Sequence, residues 1–229
     1  MLAGDPKLTP IAGCTDVYVG LHFGIVKEQR FIDLWSLDEL RGIGLDGGRL
    51  RIGALTTYTE IITSKLVTRR LPMLVAAARE VGGAQIQNRG TLAGNICTAS
   101  PAGDGAPNLL ALDARIELAN RAGTRTVDMD GFIDGYRHTQ CRTDEIVTAI
   151  LVPKPRAATR SHFLKLGARK YLVISIVMVA GVIETDAAGS LTSARLAIGS
   201  CSAVPQRLPA LEAALIGQPV AVAADLVTA

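Results

Sequence analysis

The chain has 229 residues, 48% of them hydrophobic and 20% charged, with a formal net charge of +3. That balance provides for a sizeable core and excludes a disordered chain, and the basic residues are scattered among acids without the stripe that nucleic acid requires. Cys14, Cys97, Cys141 and Cys201 form no C-x-x-C pair, which argues against a locally held metal or iron–sulfur site and against a disulfide framework.

The opening "KLTPIAGCTDVYVGLHFG" predicts a strand ending near Ile11, a tight turn over Ala12 to Asp16, and an amphipathic stretch from Val17. A second strand is expected in "RFIDLW", then a short helical turn capped by Ser36. "GLDGGRLRIGALTTYTEI" reads as a glycine-rich hairpin turn into a strand at Leu50 to Ile52. Thr57 is expected to cap the next helix, with Glu60 at capping-box spacing. "LPMLVAAAREVGG" carries helical spacing, with Leu71, Leu74, Val75 and Ala78 on one side.

The stretch from Asn88 to Ala114 begins as a glycine-rich loop and ends in an apolar run suited to a helix. "ARIELAN", "TRTVDM" and "DEIVTAILVP" alternate as strands do, and "PKPRAATR" interrupts the pattern as a boundary. Domains are therefore expected over 1–152 and 161–229, joined by a linker over 153–160. Beyond the boundary, "HFLKLGARK", "VISIVMVAGVIE" and "LTSARLAIGSCS" suggest antiparallel strands, followed by a helix in "LPALEAALIG". The run "YLVISIVMVAGVI" is shorter than the ~20 residues of a membrane helix and is expected to be buried core, so no membrane span is predicted. Nothing resembles a signal peptide, and the expected location is a reducing cytoplasm.

Two small-residue turns stand out, "AGCTD" at Ala12 to Asp16 and "TLAGN" at Thr91 to Asn95. Successive main-chain N–H groups in such turns can form an anion nest, and glycine lets a phosphate approach. Neither a G-x-G-x-x-G fingerprint nor a G-x-x-x-x-G-K-[ST] loop is present, so the two turns are expected to clasp one pyrophosphate from opposite sides if they act together. Asp104 is either a ligand to a ribose or ring edge, or an acid at the start of a helix, and residue chemistry alone favours the helix. Lys165, alternating with Leu164 and Leu166, reads as a solvated lysine. His22, His138 and His162 support no triad, and Cys14 and Cys97 read as packing residues.

Taken in order, "IAGCTDVYVGL", "RIGALTTYTEI", "QIQNRGTLAGNICTASPAGD", "DEIVTAILVPKP" and "FLKLGARKYLVISIVMVA" resemble the FAD-binding medium subunit of molybdenum hydroxylases, the xanthine dehydrogenase and carbon monoxide dehydrogenase family. The resemblance implies an α+β fold: a two-subdomain FAD domain of the vanillyl-alcohol-oxidase type, then a small antiparallel-sheet domain with helices. It implies FAD contacts from Pro10, Ile11, Ala12, Gly13, Cys14, Thr15, Asp16 and Val17 in the first turn, and from Thr91, Leu92, Ala93, Gly94 and Asn95 in the second. Val81, Thr98, Asp104, Val147 and Lys165 follow as further cofactor contacts, which reverses the reading of Asp104 and Lys165 taken from the residues alone.

In that family, a large partner subunit holds the molybdenum cofactor and a small one holds two 2Fe-2S clusters. Electrons pass through FAD to NAD or oxygen, in a dimer of heterotrimers. The resemblance makes this chain an oxidoreductase subunit with no catalytic acid, base or metal of its own. Alternatives are a free-standing FAD oxidase, distinguished by turnover of the isolated chain, and a structural module, distinguished by absence of flavin. Three departures stand out: Cys14 and Ala93 where the family usually has glycine, and Gln87 where it usually has arginine. The strand and helix that usually precede the first turn are missing, and the sequence stops soon after "AADLVTA", so weaker FAD retention or dependence on a partner is expected.

Overall fold

A computed structural model describes residues 2–5, 7–156 and 159–223. In chain order the first half contains β1 (Thr9–Ile11), α1 (Val17–His22), β2 (Phe31–Asp33), β3 (Ile43–Asp46), β4 (Arg49–Gly53), α2 (Tyr58–Thr63), α3 (Lys65–Arg70), α4 (Pro72–Glu80), α5 (Ala84–Gln87), α6 (Leu92–Thr98) and α7 (Gly105–Ala111). Then come β5 (Arg115–Asn120), β6 (Gly123–Asp128), β7 (Ile133–Gly135), β8 (His138–Thr139), β9 (Ile146–Val152), β10 (Thr159–Leu166), β11 (Val177–Thr185), β12 (Leu191–Gly199), β13 (Gln206–Arg207), α8 (Pro209–Leu215) and α9 (Val220–Ala223). The expected linker includes residues 157 and 158, and the expected C-terminal domain includes 224–229; these lie outside the described residues.

The α+β reading holds. β1 and β2 pair in parallel, while β3-β4-β9-β5-β6 and β10-β11-β12-β13 form two antiparallel sheets. β9 lies at the centre of the five-stranded sheet, and Ala149, Ile150, Leu151 and Val152 are buried in succession, as expected for a strand covered on both faces. The expected capping box is present: Thr57 Oγ1 accepts from Glu60 N at 3.2 Å, and Glu60 Oε2 accepts from Thr57 N at 2.7 Å. This fixes the start of α2. Leu71, Leu74, Val75 and Ala78 all enter one core with α7 and the inner faces of both large sheets.

Four local expectations need correction. Ser36 is not the cap: Leu37 stands at the N-cap of the short 3-10 turn Asp38–Leu40, without a side-chain cap bond. The "TLAGN" segment is a helix start and not a turn, because Thr91 Oγ1 accepts from Gly94 N at 2.9 Å and commits Leu92 onward to α6. The run from Tyr171 is only half buried. Tyr171, Leu172, Ile174 and Ile176 are exposed, and the strand begins at Val177, from which Met178, Ala180 and Val182 alternate into the core. Finally, alternation in β10 is present with its faces reversed. Phe163 anchors in the core, so Lys165, two residues on, also turns inward, while Leu164 and Leu166 are exposed.

Candidate functional site

The segment after β1 and the segment before α6 meet. A Cβ built on Gly13 would stand 1.7 Å from the Arg89 carbonyl oxygen, so no side chain fits there without separating the two. Gly90 repeats the close fit, its Cβ position being 3.4 Å from Thr15 Oγ1 and 3.0 Å from the Ile86 carbonyl oxygen. Thr57 bridges to Thr91, and Tyr58 N donates to the Gly90 carbonyl at 3.0 Å, which ties the second segment to the start of α2.

Both segments carry main-chain donors without protein acceptors. Among the described residues, the N–H groups of Gly13, Cys14 and Thr15 donate to no protein acceptor, nor does that of Ala93 at the first turn of α6, whereas Leu92 N faces the Thr56 carbonyl in the Thr57–Thr91 bridge. Cys14 sits at φ +62°, in the left-handed region, and its Sγ contacts the Ala12 carbonyl oxygen at 3.4 Å. Ala93 differs: it is an ordinary helical residue whose methyl enters the core, away from the free donors. Free N–H groups from two segments held against each other suit an anionic diphosphate.

The other expected contacts fall around this meeting point. Pro10 and Ile11 form the end of β1, Val17 opens α1, and Asp16 pairs with Arg137 at 3.4 Å. Asn95 Oδ1 accepts from Gly105 N at 3.1 Å, linking the second segment to the start of α7. Asp104 is the N-cap residue of α7, yet its carboxylate makes no capping bond. It accepts instead from Lys165 Nζ at 2.8 Å and from Ser175 Oγ at 2.8 Å, with the Lys165 and Asp104 side chains only 7% and 8% exposed. The solvated-lysine reading is therefore overturned, because burial requires Lys165 to have this partner.

Val81 ends α4, where Gln87 Nε2 donates to the carbonyls of Arg79 at 3.3 Å and Val81 at 3.2 Å. Gln87 thus closes a helix end. Thr98 is the last residue of α6. Val147 is a buried side chain of β9, in the same core cluster as Leu92 and Ala93. Beside Lys165, a cleft of about 430 Å³ opens between α4 and β10, lined by Glu80, Phe163, Arg169 and Val173 among others.

Three features of the site escaped sequence reasoning. Ser175 has no local signal, because its role depends on the loop between β10 and β11 folding back to Asp104. Tyr58 is buried with a hydroxyl lacking a partner among the described residues, and burial, then the Asp104 charge, push its phenol above the ordinary range. Two guanidiniums lie over the Trp35 ring, Arg89 at 3.8 Å and Arg41 at 4.5 Å from its centre. An arginine two residues before Thr91 was readable, but its stack was not.

Residues 1–155 match the family described as the FAD binding domain in molybdopterin dehydrogenase. The chain belongs to that family. Residues 162–227 match the carbon monoxide dehydrogenase flavoprotein C-terminal domain. The chain is similar to the nicotinate dehydrogenase FAD-subunit of Eubacterium barkeri, with 35% identity over 91% of this chain and 72% of that protein. It is also similar to the xanthine dehydrogenase FAD-binding subunit of Escherichia coli O157:H7, with 36% identity over 90% and 71%. Among solved structures, carbon monoxide dehydrogenase from Hydrogenophaga pseudoflava superposes with a TM-score of 0.90 at 31% identity, over 96% of this chain and 78% of that one. This molybdopterin-dehydrogenase flavoprotein therefore has relatives that are subunits of oxidoreductases.

Proposed function

We propose that this chain binds one FAD and serves as the electron-transfer subunit of a molybdenum hydroxylase. Electrons would arrive from 2Fe-2S clusters of a small partner subunit, after substrate oxidation at the molybdenum cofactor of a large one, and leave to NAD or oxygen. The assembly would be a dimer of heterotrimers. The observation that carries this reading is the contact of the Ala12–Asp16 segment with the Arg89–Asn95 segment, each with main-chain N–H groups free. Family membership and the shared fold of both parts of the chain support it.

Residues 1–152 would hold most of the cofactor. The N–H groups of Gly13 to Thr15 and of Ala93 would bind diphosphate oxygens, and the contact of Gly13 with Arg89 fixes their separation. Residues 161–229 would close the ring end through Lys165, held by Asp104, with Val81, Thr98 and Val147 as the remaining contacts. Bound FAD supplies the conversion between single-electron transfer from clusters and two-electron transfer to an acceptor. The chain's own residues bind, orient and shield; none is required as acid or base toward the organic substrate.

The test is purification of the chain with its co-expressed partners, followed by chemical reduction and addition of NAD or oxygen. The flavin absorbance should bleach on reduction and return on addition of one acceptor. A complex whose flavin neither bleaches nor recovers contradicts the proposed role.

A further inference from the structure

Arg89 joins both segments of the site to a cation. Its carbonyl oxygen is the atom against which Gly13 packs, so its main chain belongs to the contact between the two segments. Its guanidinium stacks on Trp35, 3.8 Å from the ring centre, and Trp35 packs in a small apolar cluster with Ala12 of the first segment. Arg41 covers Trp35 at 4.5 Å and donates to the Trp35 carbonyl oxygen. Trp35 N in turn donates to Asp33 Oδ1 at 2.8 Å, just past the end of β2, where Asp33 is in register with Ile11 of β1.

The stack therefore holds the guanidinium beside the first segment. In the same neighbourhood, burial and then Asp33 push the Cys14 thiol pKa up, and the Arg89 charge pulls against them. Arg89 is exposed and, among the described residues, forms no ion pair and donates no side-chain hydrogen bond. A surface arginine with no duty usually samples many rotamers. Here a cation–π contact fixes the plane while the N–H edge stays free, the preorganised state from which a guanidinium can take two oxygens of a phosphate.

We propose that Arg89, oriented by Trp35, is the countercharge to the diphosphate of a bound flavin dinucleotide. The proposal rests on the reading that the two segments hold FAD. Uncharged main-chain N–H groups supply geometry, and Arg89 supplies the positive charge. Gln87 is itself occupied with the α4 carbonyls and offers no substitute. Arg89 is thereby a determinant of preference for a dinucleotide over flavins with fewer phosphates.

The test uses the full chain in its complex, stripped of flavin and titrated with FAD and with riboflavin at several salt concentrations. Arg89→Gln should weaken FAD binding roughly tenfold, leave riboflavin binding unchanged and flatten the salt dependence for FAD. Arg89→Lys should recover part of the loss, and Trp35→Leu should weaken FAD selectively, because it frees the guanidinium. Unchanged riboflavin binding also shows that the variants remain folded. Equal weakening of FAD and riboflavin by Arg89→Gln, or no weakening of FAD, overturns the proposal while leaving the FAD reading intact. A wild-type complex that binds no FAD overturns both.

Discussion

Cys14 and Ala93 stand where the family resemblance implies glycine, and the structure gives them opposite consequences. Cys14 occupies φ +62°, where a Cβ costs roughly 1 kcal/mol, whereas Ala93 is helical and buries its methyl. Cys14→Gly should therefore stabilise the protein by about 0.5 to 1 kcal/mol in urea unfolding, while Cys14→Ala, which keeps the Cβ, should give no gain. Ala93→Gly should destabilise it by about 1 kcal/mol. The two departures were readable in the sequence, but their difference was not, because it lies in backbone conformation. Asp104 and Lys165 show a similar limit. Spacing placed one at a helix start and the other in a strand, and only the fold revealed that they neutralise each other 2.8 Å apart.

Among the elements, those with a strong local signal were the most legible. The Thr57–Glu60 box, the Gly47–Gly48 hairpin and the apolar face of α4 each depend on residues within a few positions. The face of β10 and the exposure of Tyr171 to Ile176 depend on what lies across from them, which periodicity does not encode. The loop leading into β9 carries a further long-range tie. Glu145, with a side chain only 3% exposed, accepts from Arg125 Nε and Nη2 at 2.7 Å each and from Arg142 N at 2.9 Å, pinning β6 to this loop.

Hydrogen bonding from Arg125 is the main reason that the Glu145 carboxyl is held down to about 2, with burial opposing it. Because the folded value lies below that of an unfolded glutamate, this stabilisation is complete above about pH 4.5 and fades as pH falls toward 2. Glu145→Gln should cost about 2 to 3 kcal/mol at pH 7, since Arg125 loses its charge partner. The gap between variant and wild type in urea unfolding should shrink steadily between pH 4.5 and pH 2.5. A gap independent of pH would show that the ion pair contributes nothing to stability.

At the scale of the whole molecule, two junctions define the site. One is the contact of Gly13 with Arg89 between the segments after β1 and before α6, and the other is the Asp104–Lys165–Ser175 cluster joining α7 to the C-terminal sheet. The order of motifs made the general architecture legible, since it resembled one family along nearly the whole chain. The junctions themselves were legible only in part: the sequence named both jaws, but Ser175 and the Arg89–Trp35 stack arise from residues brought together by folding. The central claim is that the Gly13 junction holds FAD. Its most direct measurement is the FAD content per chain of the purified complex, compared between wild type and Gly13→Ala, with partner assembly confirming that the variant folds. The account expects one FAD per wild-type chain and nearly none in the variant; a wild-type complex without FAD, or an assembled Gly13→Ala complex that retains it fully, would contradict the account.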